Sequence, residues 1–438
     1  MGAKKILRSF FYLNFLFLMQ SLCFNLSAAE YFSHLTVEDA QKTINIKSAE
    51  ELKGIGPHLI EIHNNPLFGS NIVLRAHYFK AVGAKPKALV LGVHGLQSNA
   101  RWFMQSGTAL AKQGISVLVY DRRGSGLSDG NKRFFGLPID FDPNPNEIKV
   151  AEGLRGHVKT GIILKRLVFN SAKQFMSDID ASFKKLVELN KDYSKDDGKS
   201  ELDVYILANC FGSRIAIPYA KSNKKIKSLI VTAPATDMDP RANVESIIDK
   251  VDIALPLFHF LGPEDYIKSP LQDSYFVSPE NPAYAGIVNN KVSLSLRYAT
   301  GDFFWATRSL TKKMYKDIPK LEIPMLIFLG SNDMMVDNEA IKNRFRDDYQ
   351  ADGKIVTLRA EHMLEFTPAG SSFFKTTAQW ILEDQRTGKP TNIEVSNLPY
   401  VLSSENIGSA KPLTPPVEIQ AEVAPERRGF FSRLFKRK

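Results

Sequence analysis

A chain of 438 residues holds one large domain or two ordinary ones, and 44% hydrophobic with 24% charged residues suits a soluble protein that buries a sizeable core. The net charge of +10 sits mainly at the ends: residues 1–29 contribute +3 and residues 385–438 contribute +4, leaving +3 for the body. A nucleic-acid groove needs its Lys and Arg clustered on the folded domain, so this distribution argues against a nucleic-acid partner.

Residues 1–29 read as a signal peptide. Lys4, Lys5 and Arg8 precede an apolar stretch from Phe10 to Leu22, and Ser27-Ala28-Ala29 offers a cleavage site before Glu30. The expectation is an exported protein, periplasmic or secreted; the competing reading is an uncleaved anchor, since the stretch approaches the ~20 residues that span a bilayer. Cleavage would remove Cys23 and leave Cys210 as the only thiol, so no internal disulfide is expected. A lone thiol in an oxidising compartment invites a chemical role, against the plainer reading of a buried, inert cysteine.

Residues 30–384 read as one domain. A lead-in helix is followed by strands near Leu59–His63 and Ile72–Phe79. Continuous apolar runs then recur at Ala88–Val93, Ser116–Tyr120, Asp203–Ala208, Ser228–Val231, Met325–Leu329 and Ile355–Leu358. Helical stretches at Trp102–Gln113, Ser171–Leu189 and Asn338–Tyr349 separate several of them. Unalternating strands between helices predict an α/β architecture with a mostly parallel sheet covered on both faces. Two segments break the pattern, 131–170 and 237–310, and are expected to act as lids or binding loops. From residue 385 onward, recurring Pro with Ser, Asn and Glu reads as a flexible tail to residue 438.

The chemistry centres on Ala208-Asn209-Cys210-Phe211-Gly212-Ser213, where an apolar strand runs into a helix. The G-x-S-x-G elbow needs this context: a nucleophile on a tight strand-to-helix turn, with small residues two before and two after it. Here Ala208 stands for the first Gly and Cys210 for Ser, and a helix N-terminus behind the turn favours negative charge. His94-Gly95-Leu96 follows one strand, and Asp121-Arg122-Arg123-Gly124-Ser125-Gly126-Leu127-Ser128 follows the next. Asp333 and His362 each follow a later strand.

Taken together these motifs resemble the α/β-hydrolase superfamily over residues 60–384, nearest its monoglyceride-lipase, lysophospholipase and serine-aminopeptidase-like branch. The segment at 121–128 is similar to that superfamily's D-x-R-G-x-G-x-S. The order nucleophile, acid, histidine is that of the fold. The resemblance implies a Cys210, Asp333, His362 triad, with backbone N–H groups of Leu96 and Phe211 as the oxyanion hole. It implies a hydrolase for an ester or thioester, while the apolar residues of the insertions point to a small, lipid-like acyl substrate, and the motif spacings call for no cofactor or metal. A cysteine in the serine position also occurs in dienelactone-hydrolase-like enzymes, polyester synthases and acyltransferases. Acyl transfer is therefore the alternative activity, and a catalytically dead fold used for binding is the alternative class.

Competing assignments are resolved by position. Asp337 precedes a helix and reads as its N-cap. His259 lies among apolar residues of the second insertion, and Ser213 falls one turn into the helix. Gly124-Ser125-Gly126 imitates a dinucleotide loop but lacks the third Gly. The insertions supply Phe134, Phe135, Leu257, Phe258, Phe303, Phe304 and Trp305 for an apolar pocket. Residues 426–438 carry six Lys or Arg and one Glu around Phe430, Phe431, Leu434 and Phe435, the pattern of a segment lying in a membrane interface.

Overall fold

The computed structural model describes residues 54–64, 72–126, 128, 172–193, 202–239, 266–268, 271–281, 298–382 and 401–407. The expectations for the signal segment, the insertion 131–170, His259, the pocket residues Phe134, Phe135, Leu257 and Phe258, and the basic end at 426–438 lie outside these residues, as do the side chains at 303–305.

Strands β1 (His58–Asn64), β2 (Ile72–Phe79), β3 (Ala88–Val93), β4 (Ile115–Tyr120), β5 (Val204–Asn209) and β6 (Ile226–Thr232) lead the chain into the sheet. A short antiparallel pair, β7 (Tyr266–Lys268) and β8 (Tyr298–Thr300), stands apart from it. Strands β9 (Met325–Gly330), β10 (Gly353–Leu358) and β11 (Val401–Ile407) complete a nine-stranded sheet of order β1-β2-β4-β3-β5-β6-β9-β10-β11. Pairing is parallel from β4 through β10 and antiparallel at both ends. Every residue of β3, β4, β5 and β9 is buried, which is why these strands read as unbroken apolar runs.

The helices are α1 (Met104–Lys112), α2 (Ala172–Leu189), α3 (Gly212–Ser222), α4 (Gly301–Asp317), α5 (Asn338–Asp348) and α6 (Gly370–Leu382). Helix α1 packs with α6, while α2 and α4 pack with α3, two groups that cover the two faces of the sheet. The architecture is that of an α/β-hydrolase.

Two elements differ from the sequence reading. The second insertion was expected to run irregularly to Leu310, but α4 begins at Gly301 and continues through Asp317. Its aromatic cluster and the surrounding insertion hide the helical period. Within the stretch read as a flexible tail, Val401–Ile407 instead forms β11 against β10. Prolines on either side suggested a linker, whereas β10 without a partner would leave a row of unpaired backbone groups at the sheet edge.

Candidate active site

The turn after β5 places Cys210 at the N-terminus of α3, with a left-handed backbone (φ 48°) that a non-glycine residue adopts only when its surroundings hold it there. They do. The Cys210 N–H donates to the Thr232 carbonyl at 2.8 Å, and the Cys210 carbonyl accepts from the Ser213 N–H at 3.0 Å and the Ala235 N–H at 3.2 Å. The Ser213 hydroxyl donates to the same carbonyl at 2.7 Å, so this serine braces the turn from inside the helix. Gly212 is needed for close approach: a Cβ there would lie 2.1 Å from the Val93 carbonyl oxygen. Gly95 is equally tight, a Cβ on it meeting the Asn209 amide oxygen at 2.7 Å and Cys210 Cβ at 3.2 Å. The small residues anticipated around the elbow are thus dictated by contact between the β3 and β5 loops.

The loop after β9 carries Asp333. Its Oδ1 accepts from the N–H groups of Met335 (2.7 Å) and Val336 (3.2 Å), which aims Oδ2 at His362 Nδ1, 2.8 Å away. Both side chains are fully out of solvent. Asp337 instead caps α5, its Oδ1 accepting from the N–H groups of Glu339 and Ala340 at 3.0 Å each, as expected.

His362 Nε2 is buried and makes no hydrogen bond of ordinary geometry. The Cys210 thiol is nevertheless near enough to act on the imidazole. Burial alone would disfavour the imidazolium, but the Asp333 carboxylate, and then Cys210, outweigh it and push the group up to about 10. The structure therefore brings Cys210, Asp333 and His362 together, with the thiol within reach of the imidazole but short of ordinary hydrogen-bond geometry.

The loop carrying Leu96 is braced by two basic side chains. His94 Nε2 accepts from the Arg122 N–H at 3.0 Å, which leaves the proton on Nδ1 to donate to the Gly95 carbonyl at 2.9 Å. Burial, reinforced by the charge of Arg122, holds His94 well below the usual imidazole range and so neutral. Arg122 Nη2 donates to the carbonyls of Gly95 (2.7 Å) and Leu96 (2.9 Å). The rest of the segment at 121–128 is scaffolding. Asp121 accepts from the Ala100 N–H at 2.7 Å, and Arg123 clamps Asp178 of α2 at 2.5 and 2.6 Å. Phe211 buries its ring against Phe175 of α2.

Sequence reasoning missed the segment Leu271–Asn281, which lies across the site. Gln97 donates to the Leu271 carbonyl at 3.2 Å, and Met363 N–H donates to the Phe276 carbonyl at 3.1 Å. Glu361 accepts from the Ser278 N–H at 2.9 Å. The Phe276 ring stands edge-on to His362 (5.8 Å) and to Trp102 (5.5 Å), making an apolar wall beside the imidazole. No periodicity marks this stretch, so only its position inside an insertion pointed to it. Glu365 was also missed: buried beside Ser106, whose hydroxyl donates to it at 2.7 Å, its carboxyl is pushed up to about 8 by desolvation, with the Ser106 hydrogen bonds opposing.

The sheet order, the elbow and the paired Asp333 and His362 define an α/β-hydrolase enzyme. The chain belongs to the family described as serine aminopeptidase, S33, which it matches over residues 84–137 and 150–364. No curated protein matches it. Among solved structures it is similar to a soluble variant of monoglyceride lipase from Saccharomyces cerevisiae in complex with a substrate analogue. That likeness has 16% identity and a TM-score of 0.54 over 75% of this chain and 95% of the other. It is also similar to a monoacylglycerol lipase from Paleococcus ferrophilus (16% identity, TM-score 0.49, 70% and 98% covered). A third likeness is to DcsB in complex with its substrate analogue (13% identity, TM-score 0.50, 74% and 98% covered). At these identities the likenesses speak to fold alone.

Proposed function

We propose that the protein hydrolyses an ester or thioester through Cys210, with His362 as the base and acid and Asp333 as its orienting partner. The observation that carries this reading is the buried His362–Asp333 pair beside a cysteine held left-handed at the elbow. The Cys210 proton passes to His362, and the sulfur attacks the carbonyl carbon to give a tetrahedral oxyanion. Backbone N–H groups of Leu96 and Phe211 are assigned to that oxyanion. As the intermediate collapses, His362 protonates the departing alkoxide or thiolate, leaving an S-acyl enzyme. Water, deprotonated by His362, then attacks the thioester, releasing the acid and restoring the thiol. The wall of Phe276 and Trp102 suits an apolar acyl chain.

The unmade Nε2 hydrogen bond is the one observation that favours a catalytically dead binding fold instead. Catalytic hydrogen bonds are often long before substrate binds, so it does not outweigh the buried pair. Acyl transfer would use the same first half, with an alcohol or amine in place of water. Purified protein assayed on a chain-length series of p-nitrophenyl esters and thioesters, with and without an added alcohol acceptor, separates the three. Hydrolysis is expected. Turnover only with the acceptor establishes transfer, and none under either condition establishes the binding fold.

In the same reading the chain is exported, and its basic–aromatic end holds it loosely on a membrane. Each basic residue near an anionic surface contributes roughly 1 kcal/mol. Deleting residues 426–438 is expected to abolish salt-sensitive sedimentation with anionic vesicles while leaving hydrolysis of a soluble ester intact. Unchanged sedimentation removes the tail from this account.

A further inference from the structure

Arg122 is the side chain whose environment the fold alone does not explain. It occupies the variable position of the D-x-R-G-x-G-x-S segment, whose own arginine, Arg123, is paired with Asp178. Arg122 is fully buried, yet no carboxylate lies within ion-pair distance of it among the described residues. Its Nη2 bonds two carbonyls, while its Nε and Nη1 are buried with no hydrogen-bond partner. Its guanidinium lies on the Phe211 ring, 4.9 Å from the centroid, and Arg214 lies 5.9 Å from the same centroid. A buried guanidinium with two nitrogens unpaired is costly to keep, so its retention calls for a use of the two bonds it does make.

The geometry supplies a reason. Gly95 packs against Cys210, and its carbonyl is held by both Arg122 and His94. In a planar trans peptide the N–H of Leu96 points opposite to the carbonyl of Gly95. Fixing that carbonyl therefore fixes the direction of the Leu96 N–H. The groups whose charge bears on Arg122 are Tyr120, Asp121, Asp178 and Cys210. Of these, Asp121 accepts from the Ala100 N–H and Asp178 is held by Arg123, so both carboxylates are engaged elsewhere.

We propose that Arg122 is a positioning residue: it pins the Gly95–Leu96 peptide so that the Leu96 N–H is offered to the acyl oxyanion. Burial pushes the guanidinium down to about 10, with Tyr120, Asp121, Cys210 and Asp178 opposing, so it stays charged at neutral pH.

This inference rests on Cys210 as the nucleophile, and the test keeps the two apart by reading the thiol as well as turnover. In a Cys23→Ser background Cys210 is the only cysteine. Iodoacetamide alkylation of that thiol is followed at one pH, alongside kcat and KM for p-nitrophenyl butyrate. Arg122→Met should still alkylate at the Cys210 thiol, which shows the elbow intact. Its kcat should fall roughly tenfold to a hundredfold with KM little changed, because a misdirected oxyanion donor is felt in the transition state. A folded Arg122→Met with unmoved kcat overturns the positioning role. If Arg122→Met does not fold, Arg122→Lys decides: the charge is kept, while the loss of the planar fork should still lower kcat. Wild-type kcat in Arg122→Lys overturns the proposal. A wild-type Cys210 that does not alkylate at all overturns the nucleophile assignment and this inference with it.

Discussion

His362 Nδ1 lies 2.8 Å from Asp333 Oδ2, and neither side chain reaches solvent. The relationship is enforced from behind, since the other Asp333 oxygen is held by two backbone N–H groups of its own loop. Replacing Asp333 by Asn removes the acceptor and leaves the imidazole tautomer and its cation unsupported. Asp333→Asn is expected to lower kcat by several orders of magnitude. Asp337→Asn should cost up to about 1 kcal/mol through the α5 cap, with near-normal turnover. Steady-state kinetics and urea melts of both variants check the ranking, and the reverse ranking contradicts it.

The raised affinity of His362 for its proton has a definite sign. A histidine raised in the folded state adds stability that is fully present below its unfolded value of about 6.5 and disappears as pH rises through about 10. His362 must be neutral to accept the Cys210 proton, so kcat/KM should rise with pH towards about 10, and the ring nitrogen NMR shifts should titrate over the same range. In Asp333→Asn the same resonances should titrate at lower pH. A wild-type ring that is neutral at pH 7 contradicts the assignment.

Glu365 has the opposite consequence. Its folded carboxyl is raised to about 8, so between its ordinary range and pH 8 the folded state holds a proton that the unfolded chain releases. Stability falls as pH rises through that window. Glu365→Gln keeps an acceptor for Ser106 without the titrating group. It should raise the melting temperature by a few degrees at pH 8 and flatten its dependence on pH, with little change at pH 5. Equal pH dependence in both proteins contradicts this.

Much of this site was legible in the sequence because its chemistry depends on backbone geometry. Turns after strands at Cys210, Asp333 and His362 leave short apolar runs ending in a polar or reactive residue, and the run itself is visible. The cap at Asp337 was legible for the same local reason. Phe276, Glu365 and Arg122 act through contacts with residues far away in the chain. Phe276 reaches His362 from an insertion without period, and Glu365 meets Ser106 across 259 positions. Arg122 was hidden in plain view, because the motif around it accounts for its neighbours and assigns that position nothing. Strand β11 depends on the exposed edge of β10, which no local signal announces.

Gly212 tests the elbow as a packing unit. Any side chain there meets the Val93 backbone, which cannot swing aside as a flexible side chain would. Gly212→Ala should destabilise the fold by roughly 4 kcal/mol or more, or prevent its recovery in soluble form. A Gly212→Ala protein with the wild-type denaturation midpoint contradicts the close approach of β3 and α3.

The central claim is that the acyl group passes through the sulfur of Cys210. Intact-protein and peptide mass spectrometry after rapid acid quench of the enzyme with p-nitrophenyl butyrate tests it directly. The account predicts a butyryl thioester on the peptide containing Cys210, accumulating in Asp333→Asn and absent in Cys210→Ala, which should also lack turnover. Undiminished turnover in Cys210→Ala, or the butyryl group found on a different residue, would contradict it.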